Sequence, residues 1–88
     1  MNLQRKIEEN IRSHLPEAQI VVSTKDNHHF EALVISELFQ NKTLVARQRM
    51  VYAAVLQDIQ EGRLHALAMV TKTPAEYVTK HASDTIGE

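Results

Sequence analysis

The chain has 88 residues, 10 of them Lys or Arg and 11 Asp or Glu, which gives a net charge of −1. This length allows one small domain. The balanced charge argues against a strong, salt-driven nucleic-acid binder, whose domain would normally be basic. The chain has no Cys and only two, widely separated Gly residues, which excludes disulfides, self-contained metal–sulfur sites and Gly-rich phosphate loops.

No apolar stretch approaches the roughly 20 residues that a membrane-spanning helix requires. Residues 1–11 are mostly polar and contain no apolar signal core. We therefore expect a cytoplasmic protein that does not cross a membrane.

The N-terminal segment carries one apolar residue every four positions, and these residues are Leu3, Ile7, Ile11 and Leu15. This spacing predicts an amphipathic helix, with Asn2 as its N-cap and Pro16 as its stop. Residues 20–24 and 30–36 predict two short strands. Because a short polar turn joins them, they predict an antiparallel hairpin.

From Thr43 to Gly62 the apolar residues follow a helical period, which predicts one helix, or a short turn of helix followed by a longer one. Residues 64–71 predict a third strand. Residues 73–76 form a capping box that starts a last short helix. A helical crossover between the second and third strands makes them parallel, so we expect an α+β domain with a mixed three-stranded sheet.

Three histidines lie at the starts of strands in this arrangement. His28 and His29 precede the second strand, and His65 starts the third. Parallel neighbours start at the same edge of a sheet, so His29 and His65 should come close together. Two such imidazoles can ligate a metal, share a proton, or do neither. Two ligands are too few to hold a metal alone, so any iron–sulfur cluster would need a partner that supplies the sulfur.

Lys42, Arg47 and Arg49 form a second candidate site near the start of the long helix. They predict either a basic patch for phosphates or an acidic partner, or simply a solvated helix face. No Ser lies in a nucleophile motif and no pair of carboxylates has a spacing that indicates acid–base catalysis. The sequence therefore predicts a protein that is not an enzyme.

Three sequence blocks follow one another along the chain, and they are His29-Phe30 with Val34-Ile35-Ser36 and Phe39-Gln40-Asn41-Lys42, then Arg47-Gln48-Arg49-Met50-Val51-Tyr52-Ala53, then Leu64-His65-Ala66-Leu67 with Thr73-Pro74-Ala75-Glu76-Tyr77. In this order and spacing they resemble the BolA family, and the resemblance covers residues 3–78. The resemblance implies a class II KH-like fold with the order α-β-β-α-α-β-α. It also implies one BolA-like domain at residues 1–81, and we expect a frayed polar tail at 82–88.

The resemblance implies partnership with a monothiol glutaredoxin, in iron–sulfur cluster trafficking, iron sensing or stress response. In such heterodimers a two-iron two-sulfur cluster is shared, with thiolates from the glutaredoxin Cys and from glutathione. The family's ligand in the His-Ala-Leu block corresponds to His65, and the ligand in the first hairpin corresponds to His29 or His28. We expect the isolated chain to be a monomer or weak homodimer and to bind no cluster tightly.

The sequence departs from the family pattern at three places: Gln48 replaces a His, Asn41 replaces a turn Gly, and Tyr77 replaces a Trp. The hairpin loop is short, as in a bacterial subgroup of the family. Some members are proposed to be DNA-binding transcriptional regulators, a role that Lys42, Arg47 and Arg49 would carry here. DNA is therefore the alternative partner. We expect DNA to bind weakly, because the Gly-x-x-Gly loop by which ordinary KH domains clamp a nucleic-acid backbone is missing.

Overall fold

The computed structural model describes residues 2–78, which form a three-stranded sheet packed against helices. In chain order the elements are α1 (Leu3–His14), β1 (Gln19–Thr24), β2 (His29–Ile35), a 3-10 helix (Glu37–Phe39), α2 (Leu44–Gln60) and β3 (Ala66–Lys72). Residues 74–78 begin a further helix, α3. The predicted α+β class is confirmed. The predicted tail, 82–88, and the domain boundary at residue 81 lie outside the described residues.

The strand order is β1-β2-β3. β1 pairs with β2 antiparallel, with Thr24 opposite Phe30, and β2 pairs with β3 parallel, with His29 opposite Ala66. This is the mixed sheet that the sequence predicts, because α2 carries the chain back to the starting end of β2 before β3 begins.

One face of the sheet builds the core. Alternate strand residues point to this face, and they are Ile20, Val22, Phe30, Ala32, Val34 and Leu67. They pack against the buried residues of the helices, which are Ile7 and Ile11 on α1 and Val51 and Val55 on α2. On the opposite face Val21 and Val70 flank Leu33 across the three strands, and they are 60% and 51% exposed.

No helix among residues 2–78 is long and apolar enough to cross a membrane.

The middle of the chain contains a short 3-10 helix and one uninterrupted α-helix. The stretch predicted as one helix, or as a short turn of helix followed by a longer one, is the single helix α2, and before Thr43 lies the short 3-10 helix. Glu17 organises it: its carboxylate accepts hydrogen bonds from the Ser36 hydroxyl (2.9 and 3.0 Å) and from the Glu37 amide (3.0 Å). Asn41 then adopts a left-handed conformation, with φ of 63°, and starts the turn into α2.

Thr73 and Glu76 form the predicted capping box at the start of α3. The Glu76 amide donates to the Thr73 hydroxyl (3.1 Å), and the Thr73 amide donates to the Glu76 carboxylate (2.9 Å).

Thr73→Val keeps the side-chain shape but removes the cap, so we expect the free energy of unfolding to fall by about 1 kcal/mol in urea denaturation. Thr73→Ser keeps the cap and serves as the control. A larger loss in the Ser variant than in the Val variant would show that the methyl group, rather than the cap, is what matters.

Candidate functional site

The histidine edge, which we define as His28, His29 and His65, lies at the starts of the parallel strands. His29 is the first residue of β2 and stands opposite Ala66, the first residue of β3. His65 immediately precedes Ala66. The strand bounds differ slightly from the predicted ones, because β2 begins one residue earlier and β3 two residues later. The predicted juxtaposition of His29 and His65 at one edge therefore holds along the backbone.

The three imidazoles are exposed but differ in how they are held. The His29 side chain is 80% exposed, and its Nδ1 lies 2.8 Å from Oδ2 of Asp26. No hydrogen bond joins the ring of His28 or of His65 to any other residue in the 2–78 range. His29 is thus the member of the edge whose ring has a defined partner.

The β1–β2 turn is built around Asp26. Its Oδ1 accepts hydrogen bonds from the amides of His28 and His29, both at 2.9 Å. Asn27 has a left-handed φ of 63°, and its amide donates to the Thr24 hydroxyl (2.9 Å), which itself donates to the His29 carbonyl (2.7 Å). The bonds from the His29 amide and ring and from the His28 amide hold the pKa of Asp26 well below its usual value.

A surface groove of about 290 Å³ lies at the end of the β1–β2 hairpin, and His29 is one of its lining residues. Its lining residues come from the end of the hairpin, and they are Ser23, Thr24, Lys25, Asp26, His29 and Glu31. The His29 imidazole is therefore accessible from outside the domain.

The loop that leads to His65 is anchored by a buried carboxylate, Asp58, whose side chain is 1% exposed. Arg63 Nε lies 2.8 Å from Asp58 Oδ1, Lys6 Nζ lies 3.1 Å from the same oxygen, and Asn10 donates to Oδ2 (2.9 Å). The Arg63 and Leu64 amides also donate to the Asp58 carbonyl, at 3.0 and 3.1 Å. The segment just before His65 is thereby tied to α1 and α2.

The donor set at this edge fits a shared cluster better than a site formed by this chain alone. Within residues 2–78, no three side chains of His, Cys, Asp or Glu come together to hold a metal ion. Two imidazoles can nevertheless replace two thiolates on one iron of a two-iron cluster. His29 and His65 match that requirement in number and exposure, provided that another molecule supplies the thiolates.

Arg47, one of the three residues of the predicted basic patch, is largely buried and has several partners within the domain. Its guanidinium makes a two-pronged ion pair with Glu76 (2.8 and 3.1 Å) and donates to the carbonyls of Lys42 (3.1 Å) and Thr71 (3.4 Å). It also lies 5.8 Å above the ring of Phe39, a cation–π distance. Arg47 and the Thr73 amide hold the pKa of Glu76 at about 2, so this carboxylate is charged at every pH well above that value.

Lys42 and Arg49 are exposed, whereas the Arg47 side chain is only 12% exposed. The structure therefore gives these three residues different surroundings and joins Arg47 to the start of α3. The role of Lys42, Arg47 and Arg49 in nucleic-acid binding stays a prediction. The sequence does not predict the ion pair between Arg47 and Glu76, because the two residues are 29 positions apart in the chain.

Comparison with known proteins places this fold in a family. The sequence profile described as BolA-like protein matches residues 4–76. SufE-like protein 1, chloroplastic/mitochondrial, from Arabidopsis thaliana is 50% identical over 48 residues, covering 54% of this chain and 13% of that protein. Acid stress protein IbaG from Escherichia coli (strain K12) is 35% identical over 52 residues, covering 59% of this chain and 62% of that protein. The chain therefore spans less than two thirds of either relative.

The solved structure of BolA1 from Arabidopsis thaliana superposes with a TM-score of 0.75 at 30% sequence identity. The match covers 86% of this chain and 96% of that one. Since the profile spans nearly all of the described residues, and the superposition covers the same domain, this chain belongs to the BolA family.

Proposed function

We propose that this protein is a non-enzymatic interaction module that partners a monothiol glutaredoxin and contributes His65 and His29 to a shared two-iron two-sulfur cluster. The observation that carries the proposal is the pair of exposed imidazoles at the starts of adjacent parallel strands. Family membership adds the expected partner, as the resemblance of the three sequence blocks implies.

The composition of the chain supports sharing over independent binding. Iron–sulfur clusters are normally held by thiolates, and this chain has none to offer. Two terminal ligands from this chain leave two for the partner, which the glutaredoxin Cys and glutathione would supply. The absence of Cys thus agrees with a role that requires a second protein.

His29 is the better supported of the two hairpin histidines. It stands in β2 directly opposite Ala66, next to His65, whereas His28 lies in the turn before the strand. The His29 ring also has a fixed partner in Asp26. We therefore assign the second ligand position to His29, with His28 as the alternative.

Neutral imidazole ligands make a cluster less negative than four thiolates do and raise its reduction potential. Such a cluster suits transfer to an acceptor or sensing, rather than permanent storage. In this chain His29 belongs to β2, which pairs with β3 along the whole of both strands, and His65 lies in the loop directly before β3.

Anaerobic reconstitution tests the proposal. The chain is mixed with a monothiol glutaredoxin, glutathione, ferrous iron and sulfide, and visible absorption and circular dichroism are recorded. We expect a spectrum different from that of the glutaredoxin alone, and His65→Ala should return it to the glutaredoxin-only spectrum. His14→Ala, which removes an exposed His from α1, should leave the new spectrum intact. If the wild-type chain leaves the glutaredoxin spectrum unchanged, or if His65→Ala behaves as wild type, the proposal is wrong.

A further inference from the structure

We propose that Asp26 is a positioning residue that holds the His29 imidazole through Nδ1 and leaves Nε2 as the atom presented to iron. This inference rests on the proposed function and goes beyond it by assigning a role to a residue that binds no iron itself.

The two carboxylate oxygens of Asp26 have separate partners. Oδ1 accepts the amides of His28 and His29, and Oδ2 lies 2.8 Å from His29 Nδ1. The two amide bonds hold Oδ1 at the start of β2. The carboxylate that meets the His29 ring through Oδ2 is therefore already anchored to the backbone of the same turn.

The hydrogen in this contact must come from the imidazole, because an ionised carboxylate only accepts hydrogen bonds. Nδ1 of a neutral His29 therefore carries the hydrogen, and the free lone pair is on Nε2. Carboxylates that bind the second nitrogen of a ligating His set its tautomer and orientation in metal sites in this way.

His28 supplies an internal contrast to His29. The same Asp26 carboxylate binds the His28 backbone amide, but the His28 ring has no hydrogen-bond partner within residues 2–78. A free exposed ring loses rotamer freedom when it is fixed by a metal, and the Asp26 bond has already restricted the His29 ring. The alternative is that this exposed pair contributes only to the turn, as many surface ion pairs contribute little else.

Asp26→Asn separates the role of Asp26 in the turn from its role in orienting the His29 ring. The amide oxygen of Asn can still accept from the His28 and His29 amides and so preserve the turn. Its NH₂ group would occupy the place of Oδ2 and donate to Nδ1, which moves the ring hydrogen to Nε2. The variant thus keeps the shape of the loop while reversing the tautomer of His29.

The first measurement is ¹⁵N–¹H correlation NMR of the histidine rings of the isolated chain at about pH 8.5, where free imidazole is neutral. We expect the Nδ1–H tautomer for wild-type His29 and the Nε2–H tautomer in Asp26→Asn, with the other rings unchanged. A wild-type His29 that shows the same tautomer mixture as His28 would overturn the proposal, and this result needs no cluster.

The second measurement is the lifetime of the reconstituted heterodimer cluster, followed by visible circular dichroism against a chelator. We expect Asp26→Asn to shorten the lifetime by about 10- to 100-fold, the size of effect typical of replacing a residue that orients a metal-binding His. A lifetime equal to that of the wild type, with His65→Ala still abolishing the spectrum, would overturn the role of Asp26 and leave the proposed function standing. If the wild-type chain forms no heterodimer cluster, the proposed function fails, and with it the role of Asp26 toward iron.

Discussion

Replacing Asp58 by Ala should lower the free energy of unfolding by about 3 kcal/mol, the lower end of the range for breaking a buried ion pair. The Asp58 carboxylate is 1% exposed and neutralises Lys6 and Arg63, whose side chains are 31% and 39% exposed. Their partial exposure lets the two cations regain water in the variant, which keeps the loss at that lower end. Asn10 also loses its acceptor. Urea denaturation at neutral pH measures the change.

Two further variants make the Asp58 result specific. Asp58→Asn keeps the volume and one acceptor oxygen, so it should fall between wild type and Asp58→Ala. Glu61→Gln changes the exposed carboxylate that also contacts Arg63, and we expect no measurable change in stability. If Glu61→Gln destabilised the domain as much as Asp58→Ala, the surface pair rather than the buried carboxylate would anchor the loop.

The same carboxylate predicts how stability depends on pH. Burial raises the pKa of Asp58, but hydrogen bonds from Arg63 and Lys6 outweigh burial and lower it below its ordinary value of 3.8. A folded-state pKa below the unfolded one stabilises the fold above about pH 4, and the contribution is lost as the pH falls through the folded-state value. Wild type should therefore lose more stability than Asp58→Asn between neutral pH and about pH 3. Parallel pH profiles would contradict this assignment.

His29→Ala should remove the heterodimer-specific circular dichroism, whereas His28→Ala should retain it. Loss of a ligand should weaken cluster binding by more than the about 10- to 100-fold that is typical of losing a residue that only orients a ligand. The two residues are adjacent and both exposed, so each substitution is a matched control for the other. Neither ring is buried, and we expect both variants to denature at the same urea concentration as the wild type.

The physical basis of this difference is the register of the sheet. His29 stands opposite Ala66 in the parallel pair, which brings it level with the residue that follows His65. His28 lies one position earlier, in a turn shaped by Asp26 and by Asn27 in a left-handed conformation. If His28→Ala abolished the spectrum while His29→Ala retained it, the second ligand would be His28.

Much of the fold follows from local sequence signals. The four-residue spacing on α1, with Asn2 accepting from the Arg5 amide at 3.2 Å, produces the predicted capped helix. The Thr73 and Glu76 box caps α3 as predicted. Gly62, with φ of 79°, follows the end of α2. These features depend on residues within four positions of each other, so periodicity and capping rules suffice to find them.

The place of the candidate site also follows from the sequence, through topology. A helix between β2 and β3 makes the strands parallel, and parallel strands start at the same edge. That argument brings His29 and His65 to one end of the sheet without knowledge of any side chain. It does not separate His28 from His29, because a shift of one residue at the start of a strand changes which of them lies opposite Ala66.

Only the tertiary structure decided which side chains act on that site and on the basic residues. The burial of Asp58 among Lys6, Asn10 and Arg63 depends on α1 packing against the end of α2, and the Arg47–Glu76 pair depends on α3 meeting the start of α2. The Asp26–His29 bond is local in sequence, but a three-residue spacing alone does not specify ring orientation. By itself the sequence determined the elements, their order and the edge where the histidines meet, because these depend on local propensity and connectivity. The fold decided the charge partners, because these depend on the packing of elements that are distant in the chain.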